Sequence, residues 1–197
     1  MTLSHRIGAL AQLTLQEPRQ AARVLLAEDV PIRARTAGLL LVAVVSSLLA
    51  SLQVGSDLGG LDPFSRFMLA SPFRAAVFQW LFLALTVVLV HRVGRAFGGH
   101  GSFPDALLVV VWLQLLMLAL QVVQLVATLI APPLAGIIGL VGFALFVWLM
   151  TVFTAELHGF RSRGKVLLGL VLTGLAAGLI LGTATVLILG PEAFADV

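Results

Sequence analysis

The pattern along the chain is dominated by one long gap in its charges. Between Asp105 and Glu156 no residue is charged. That gap holds fifty residues, and as one helix they would extend about 75 Å, far beyond the roughly 30 Å of a bilayer's hydrocarbon core. Pro132 and Pro133 fall midway and break the run, because proline lacks the N–H that continues a helix. The spacing therefore predicts a membrane hairpin, with helices over about 106–131 and 134–155.

The flanking segments repeat this alternation of apolar runs and breakers. Leu3, Ile7, Leu10 and Ala11 recur at helical spacing over residues 3–15. Pro18 opens a second short helix carrying Ala21, Ala22, Val24, Leu25 and Leu26, with Arg19 and Arg23 alongside. It reads either as an interfacial amphipathic helix or as a solvated N-terminal one. Asp29-Val30-Pro31 ends it. The first spanning helix is expected over 37–54, with Ala43, Ser47 and Ser51 as a face for close helix contact. Gly55 to Gly60 breaks it, and Asp62-Pro63 opens a short helix with Phe64, Phe67 and Met68 on one side.

Ser71-Pro72 uses the same device to start the second spanning helix, over 75–97. Its charge-free core, Ala75 to Val90, is short for a crossing, and Arg74 and Arg92 can snorkel outward to relieve the deficit. Gly98-Gly99 stops that helix, and Ser102 with Asp105 forms a capping-box pattern ahead of the next. A fifth helix is expected over 166–189, ended by Gly190-Pro191. The predicted fold is all-α: residues 1–35 as a cytoplasmic N-terminal helical segment, 36–190 as a bundle of five transmembrane helices, and 191–197 as a short tail.

Composition agrees with this reading. Apolar residues make up 60% of the chain and charged ones 11%, against roughly 25% charged in a soluble domain. There is no cysteine, which excludes disulfides and thiol chemistry. The first apolar run begins too late for a cleavable signal peptide, so the first spanning helix is expected to stay as an anchor. Arg and Lys, counted connection by connection, place ten on one side of the membrane and two on the other. By the positive-inside rule the N-terminus is cytoplasmic and the C-terminus outside. His5, His91, His100 and His158 then fall on the cytoplasmic side. Eleven of the twelve basic residues are arginine and tyrosine is absent. That bias fits a GC-rich bacterial genome, hence an inner membrane.

Four groups of residues are candidates for more than packing. Gln114, Gln121, Gln124 and Thr128 lie on one face of the third spanning helix. They read first as interhelical hydrogen-bonding groups, and in a functional reading as the lining of a polar path. Gly174, Gly178 and Gly182 form a small-residue stripe on the fifth helix, suited to a neighbouring helix or a second copy, and Gly139 and Gly142 look like packing positions on the fourth. The histidines, Asp105 and Glu156 lack metal-ligand spacing and read as solvated loop groups. No nucleophile motif, phosphate loop or catalytic acid pair is present, so neither an enzyme nor a cofactor is expected. The cores of the five helices carry no ionisable residue, which argues against proton-coupled transport.

Glu17-Pro18 and Ala21-Ala22-Arg23, five spanning helices and the turn Gly98-Gly99-His100-Gly101-Ser102-Phe103 together resemble the Ypt-interacting-protein (YIP) domain family. The turn, with Gly98, Gly99, Gly101 and Ser102, looks like that of bacterial-type members. The likeness runs from about Pro18 to Leu189. It implies a multi-pass protein with a cytosolic N-terminus, and eukaryotic relatives interact with Rab-type GTPases in vesicle traffic. With no tyrosine, the chain lacks the Asp-Leu-Tyr-Gly-Pro motif of the eukaryotic members, and no functional residue carries over. The expected role is a membrane-organising or adaptor protein, the alternative a small transporter or channel component. The expected partners are the bilayer, with a protein at the cytoplasmic face and a second copy as candidates, and no nucleic acid.

Overall fold

A computed structural model describes residues 3–54 and 63–189. The break at Gly55 to Gly60, the Asp62 cap, the Gly190-Pro191 stop and the tail 191–197 lie outside the described residues. Among the described residues there are eight helices and no strand. They are α1 (Leu3–Gln16), α2 (Pro18–Ala27), α3 (Ile32–Val54), α4 (Pro63–Leu69), α5 (Pro72–Ala96), α6 (Phe103–Ile130), α7 (Pro132–His158) and α8 (Arg163–Leu189). Five of them, α3, α5, α6, α7 and α8, are long and apolar enough to cross a membrane.

Local chemistry explains the helix ends. Pro18, Pro72, Pro104 and Pro132 sit in first turns, where a missing N–H costs nothing. Ser71 and Ser102 cap α5 and α6 by accepting from the backbone N–H of Arg74 and Asp105. Only Ala131 separates α6 from α7, so the proline pair does reverse the chain. Gly159 closes α7 in the left-handed conformation at φ 72°, which glycine adopts without steric cost.

Helices α1 and α2 form an antiparallel hairpin, clamped at its open end by Arg6 and Glu28 (2.7 Å). The hairpin is packed protein against protein. Ala21 and Ala22 are fully buried and belong to the same apolar core as α3, α5, α6 and α7. Arg19 and Arg23 both reach Glu156 near the end of α7, at 3.3 and 2.9 Å. Deeper in, Trp112 Nε1 donates to the fully buried Thr14 hydroxyl at 3.1 Å.

Burial is uneven along the bundle. Continuous burial covers Ala106 to Val110, Trp112 and Leu113 in α6 and Leu149 to Ala155, Leu157 and His158 in α7; outside these segments only Ala127, Ala135 and Gly142 of the two helices are buried. These segments lie at one end, with the hairpin, Arg92, Arg95, Arg161, Arg163 and Lys165. We call this the basic end. The opposite half is loosely packed, and two cavities open there.

Helix α8 stands apart, touching mainly α7. A Cβ placed on Gly174, Gly178 or Gly182 would meet nothing within 4 Å. The close approaches between helices are elsewhere. A Cβ on Gly142 would come 2.3 Å from Leu120 Cδ2, and one on Gly38 2.9 Å from Val111 Cγ1.

Candidate functional site

At the basic end the turn between α5 and α6 wraps around one histidine. His158 is 1% exposed, a correction to its reading as a solvated loop residue. Its helix runs on past the apolar run to Gly159, and so carries the ring inward. The Gly101 N–H donates to its Nδ1 at 3.2 Å. The proton therefore sits on Nε2, which donates to the Val90 carbonyl at 3.1 Å. The His100 N–H donates to the His158 carbonyl at 3.3 Å.

Three glycines leave room for this ring. A Cβ on Gly94 would fall 2.2 Å from Nε2, one on Gly99 2.5 Å from Nδ1, and one on Gly101 2.8 Å from Cε1. Gly98 makes the turn itself possible, at φ 83°. The family-like turn Gly98, Gly99, Gly101 and Ser102 is thus a collar that fastens α5, α6 and α7 together. Phe160 stacks on the outer side of the imidazole, with ring centres 5.5 Å apart.

Beside the collar, Arg35 is buried where α3 meets α6. Its Nε donates to Val30 O at 2.8 Å, and its Nη1 donates to Pro104 O at 2.6 Å and Asp105 Oδ1 at 3.0 Å. Asp105 also accepts from the Ser102 hydroxyl at 2.5 Å. The capping box therefore extends into a network that ties the α2–α3 connection, α3 and α6. No group of three or more His, Cys, Asp or Glu side chains able to hold a metal occurs among the described residues.

Around this locked centre lies an open cationic rim. Arg33, Arg92, Arg95, Arg161, Arg163 and Lys165 are exposed. None of them has an ion-pair partner among the described residues.

The glutamine stripe faces the loosely packed half. Gln121 Nε2 donates to Ser46 O of α3, and Gln124 Nε2 to Ala135 O of α7, both at 3.1 Å. Thr128 turns back to Gln124 O at 2.9 Å. Gln114, the fourth member, makes no hydrogen bond among the described residues and lines both cavities. Each cavity holds about 310 Å³. The first lies between α6 and α7 and is reached by Gln53 of α3. The second lies among α3, α4, α5 and α6 and is reached by Gln79 of α5.

Sequence reasoning misread His158 and passed over Arg35, Thr14, Gln53 and Gln79. A signal existed for two of them. A lone amide inside an apolar helix needs a partner, and that applies to Gln79 and Gln53 as much as to the stripe.

A family model described as Yip1 domain matches residues 13–185. No curated protein and no solved structure matches the chain.

Proposed function

The chain belongs to the Yip1 domain family, and on that premise we propose that this multi-pass membrane protein is a non-enzymatic organiser or adaptor that recruits an acidic protein partner to its basic end. We place it in a bacterial inner membrane, with the basic end and the N-terminus in the cytoplasm and the C-terminus outside. The imbalance of Arg and Lys between alternate loops supports that orientation.

The observation that carries the reading is the juxtaposition at the basic end. Six exposed cations without ion-pair partners among the described residues surround a centre fixed by the packed hairpin, the Arg35 network and the glycine collar. Such a platform suits electrostatic docking, because its charges are held in register by buried groups beneath them. The same arginines favour anionic lipid headgroups and would keep the platform at the membrane surface.

A second reading, a small transporter or channel component, draws on the glutamine-lined cavities. Against it stands a closed layer of side chains at the basic end. Val109, Leu113, Leu149 and Phe153 are all fully buried there.

The test is affinity purification from native membranes, comparing the natural chain with Arg161→Gln/Arg163→Gln/Lys165→Gln. A specific acidic partner is expected to co-purify with the former. Its yield should fall about tenfold with the variant, since three partly screened pairs at roughly 0.5 kcal/mol each total about one decade. Repeated isolation of the chain alone, or undiminished recovery with the neutralised loop, would contradict the proposal.

A further inference from the structure

We propose that the two cavities of the loosely packed half form one binding site for an uncharged membrane amphiphile whose head carries hydroxyl or ester groups. The cavities share Gln114, Met117 and Gln121, so they flank a single ridge of α6. Gln114 lies about 17 Å along α6 from Phe103, near the middle of a helix of about 42 Å. At that depth water is scarce, and an amide without a partner is costly.

Gln79 likewise lies inside its helix, α5, and Gln53 is the last but one residue of α3. Gln53, Gln79 and Gln114 line the cavities, and none makes a hydrogen bond among the described residues. They differ in this from Gln121 and Gln124, each of which donates one N–H to a backbone carbonyl, of α3 and α7 respectively. Packing accounts for the second pair and leaves the first three unexplained.

The lining defines the ligand's chemistry. Each free amide offers both donors and an acceptor, which matches hydroxyl, ester or carbonyl groups. Among the described residues no charged side chain lines either cavity, so a phosphate or ammonium head would find no counter-charge there, at a high desolvation cost. The remaining walls are mainly apolar, Met117, Leu120 and Phe146 on one side and Met68, Leu69 and Phe78 on the other, with Ser46, Ser47 and Ser65 also lining the second cavity. They suit the first carbons of acyl or prenyl chains. A volume of about 310 Å³ on each side falls at the lower end of small-molecule sites, about 300–1,000 Å³. Diacylglycerols and isoprenoid alcohols share this chemistry.

The experiment uses the full chain in lipid nanodiscs and three photoreactive, clickable probes. One is a diacylglycerol, one an isoprenoid alcohol, and one a phosphatidylglycerol with the same acyl chains as the first. Labelling by at least one neutral probe is expected on peptides from α3, α5 or α6, and it identifies the source. Unlabelled dioctanoylglycerol or the free alcohol should compete. Gln53→Leu/Gln79→Leu/Gln114→Leu should lower that labelling at least about fivefold, the factor worth one ordinary hydrogen bond. The three amides hold no protein partner, so the variant's thermal midpoint should not fall. If the variant does fail to fold, competition on the natural chain decides. Equal or stronger labelling by phosphatidylglycerol, labelling that no neutral competitor reduces, labelling unchanged in a folded variant, or no labelling at all would overturn the proposal and leave the cavities to water and bulk lipid.

Discussion

Gly94→Ala is expected to destabilise the protein by about 2 kcal/mol net, a large loss for one methyl group. The new Cβ would lie 2.2, 2.4 and 2.5 Å from Nε2, Cε1 and Cδ2 of His158. The imidazole cannot give way. Gly99 and Gly101 press on it from the other strand of the turn, and both ring nitrogens are held by hydrogen bonds. Overpacking of this kind costs about 1–3 kcal/mol, and here it stands at the upper end. Alanine's better helix propensity returns about 1 kcal/mol.

The pairing can be isolated by a double-mutant cycle with His158→Ala. That change empties the collar, leaves the Gly101 N–H without its acceptor, and should itself cost about 3 kcal/mol. In the double variant the methyl group occupies vacated space. Its steric cost of about 3 kcal/mol should vanish while the propensity gain remains, so the two losses should fall short of additivity by about 3 kcal/mol. The measurement is the unfolding midpoint of purified protein in mixed micelles of rising denaturing-detergent content, followed by circular dichroism. Additive losses would mean that the ring and Gly94 do not touch.

Arg35→Met should cost about 2–3 kcal/mol, through a different mechanism. The guanidinium is buried and spends three hydrogen bonds on Val30 O, Pro104 O and Asp105 Oδ1. Hydrogen bonds from a charged donor contribute about 1.5–3 kcal/mol, and partners left without a donor pay their own desolvation. The ion-pair share is smaller, because the Asp105 side chain is 36% exposed and partly screened. Arg35→Lys should recover less than half of the loss. One ammonium on a flexible stem cannot reproduce a planar fork directed at three acceptors. The same detergent titration reads both variants, and full rescue by lysine would show that charge alone matters at this site.

The five long helices were legible because their signals are redundant. Charge-free runs gave the spans, and prolines and glycines gave the breaks. Pro132-Pro133 alone fixed the hairpin of α6 and α7. The helix ends were less legible. α3 begins at Ile32, before its apolar run, with Arg33 and Arg35 already inside it. α7 carries Glu156 and His158 within its last turns. Backbone hydrogen bonding continues past the apolar segment whenever a polar side chain finds a partner, and the partners here come from distant parts of the chain. His158 is held by a turn 57 residues earlier, and Arg35 by a residue 70 positions later. No local pattern announces either meeting.

The candidate site divides in the same way. The periodicity of Gln114, Gln121, Gln124 and Thr128 puts them on one face of α6, since helical spacing is local information. That Gln114 remains unpaired beside Gln53 and Gln79 depends on how three helices diverge, which no single helix encodes. The glycine turn stood out as a motif, but its purpose required the imidazole it encloses.

In the orientation proposed above, five crossings leave the basic end in the cytoplasm and the α6–α7 turn outside. The chain has no cysteine, so single cysteines can be introduced at Pro133 and Ser162, both exposed, and labelled with a membrane-impermeant maleimide in sealed right-side-out vesicles. Pro133→Cys is expected to react at once and Ser162→Cys only after permeabilisation. Equal reaction of the two before permeabilisation, or the reverse order, would contradict the claim.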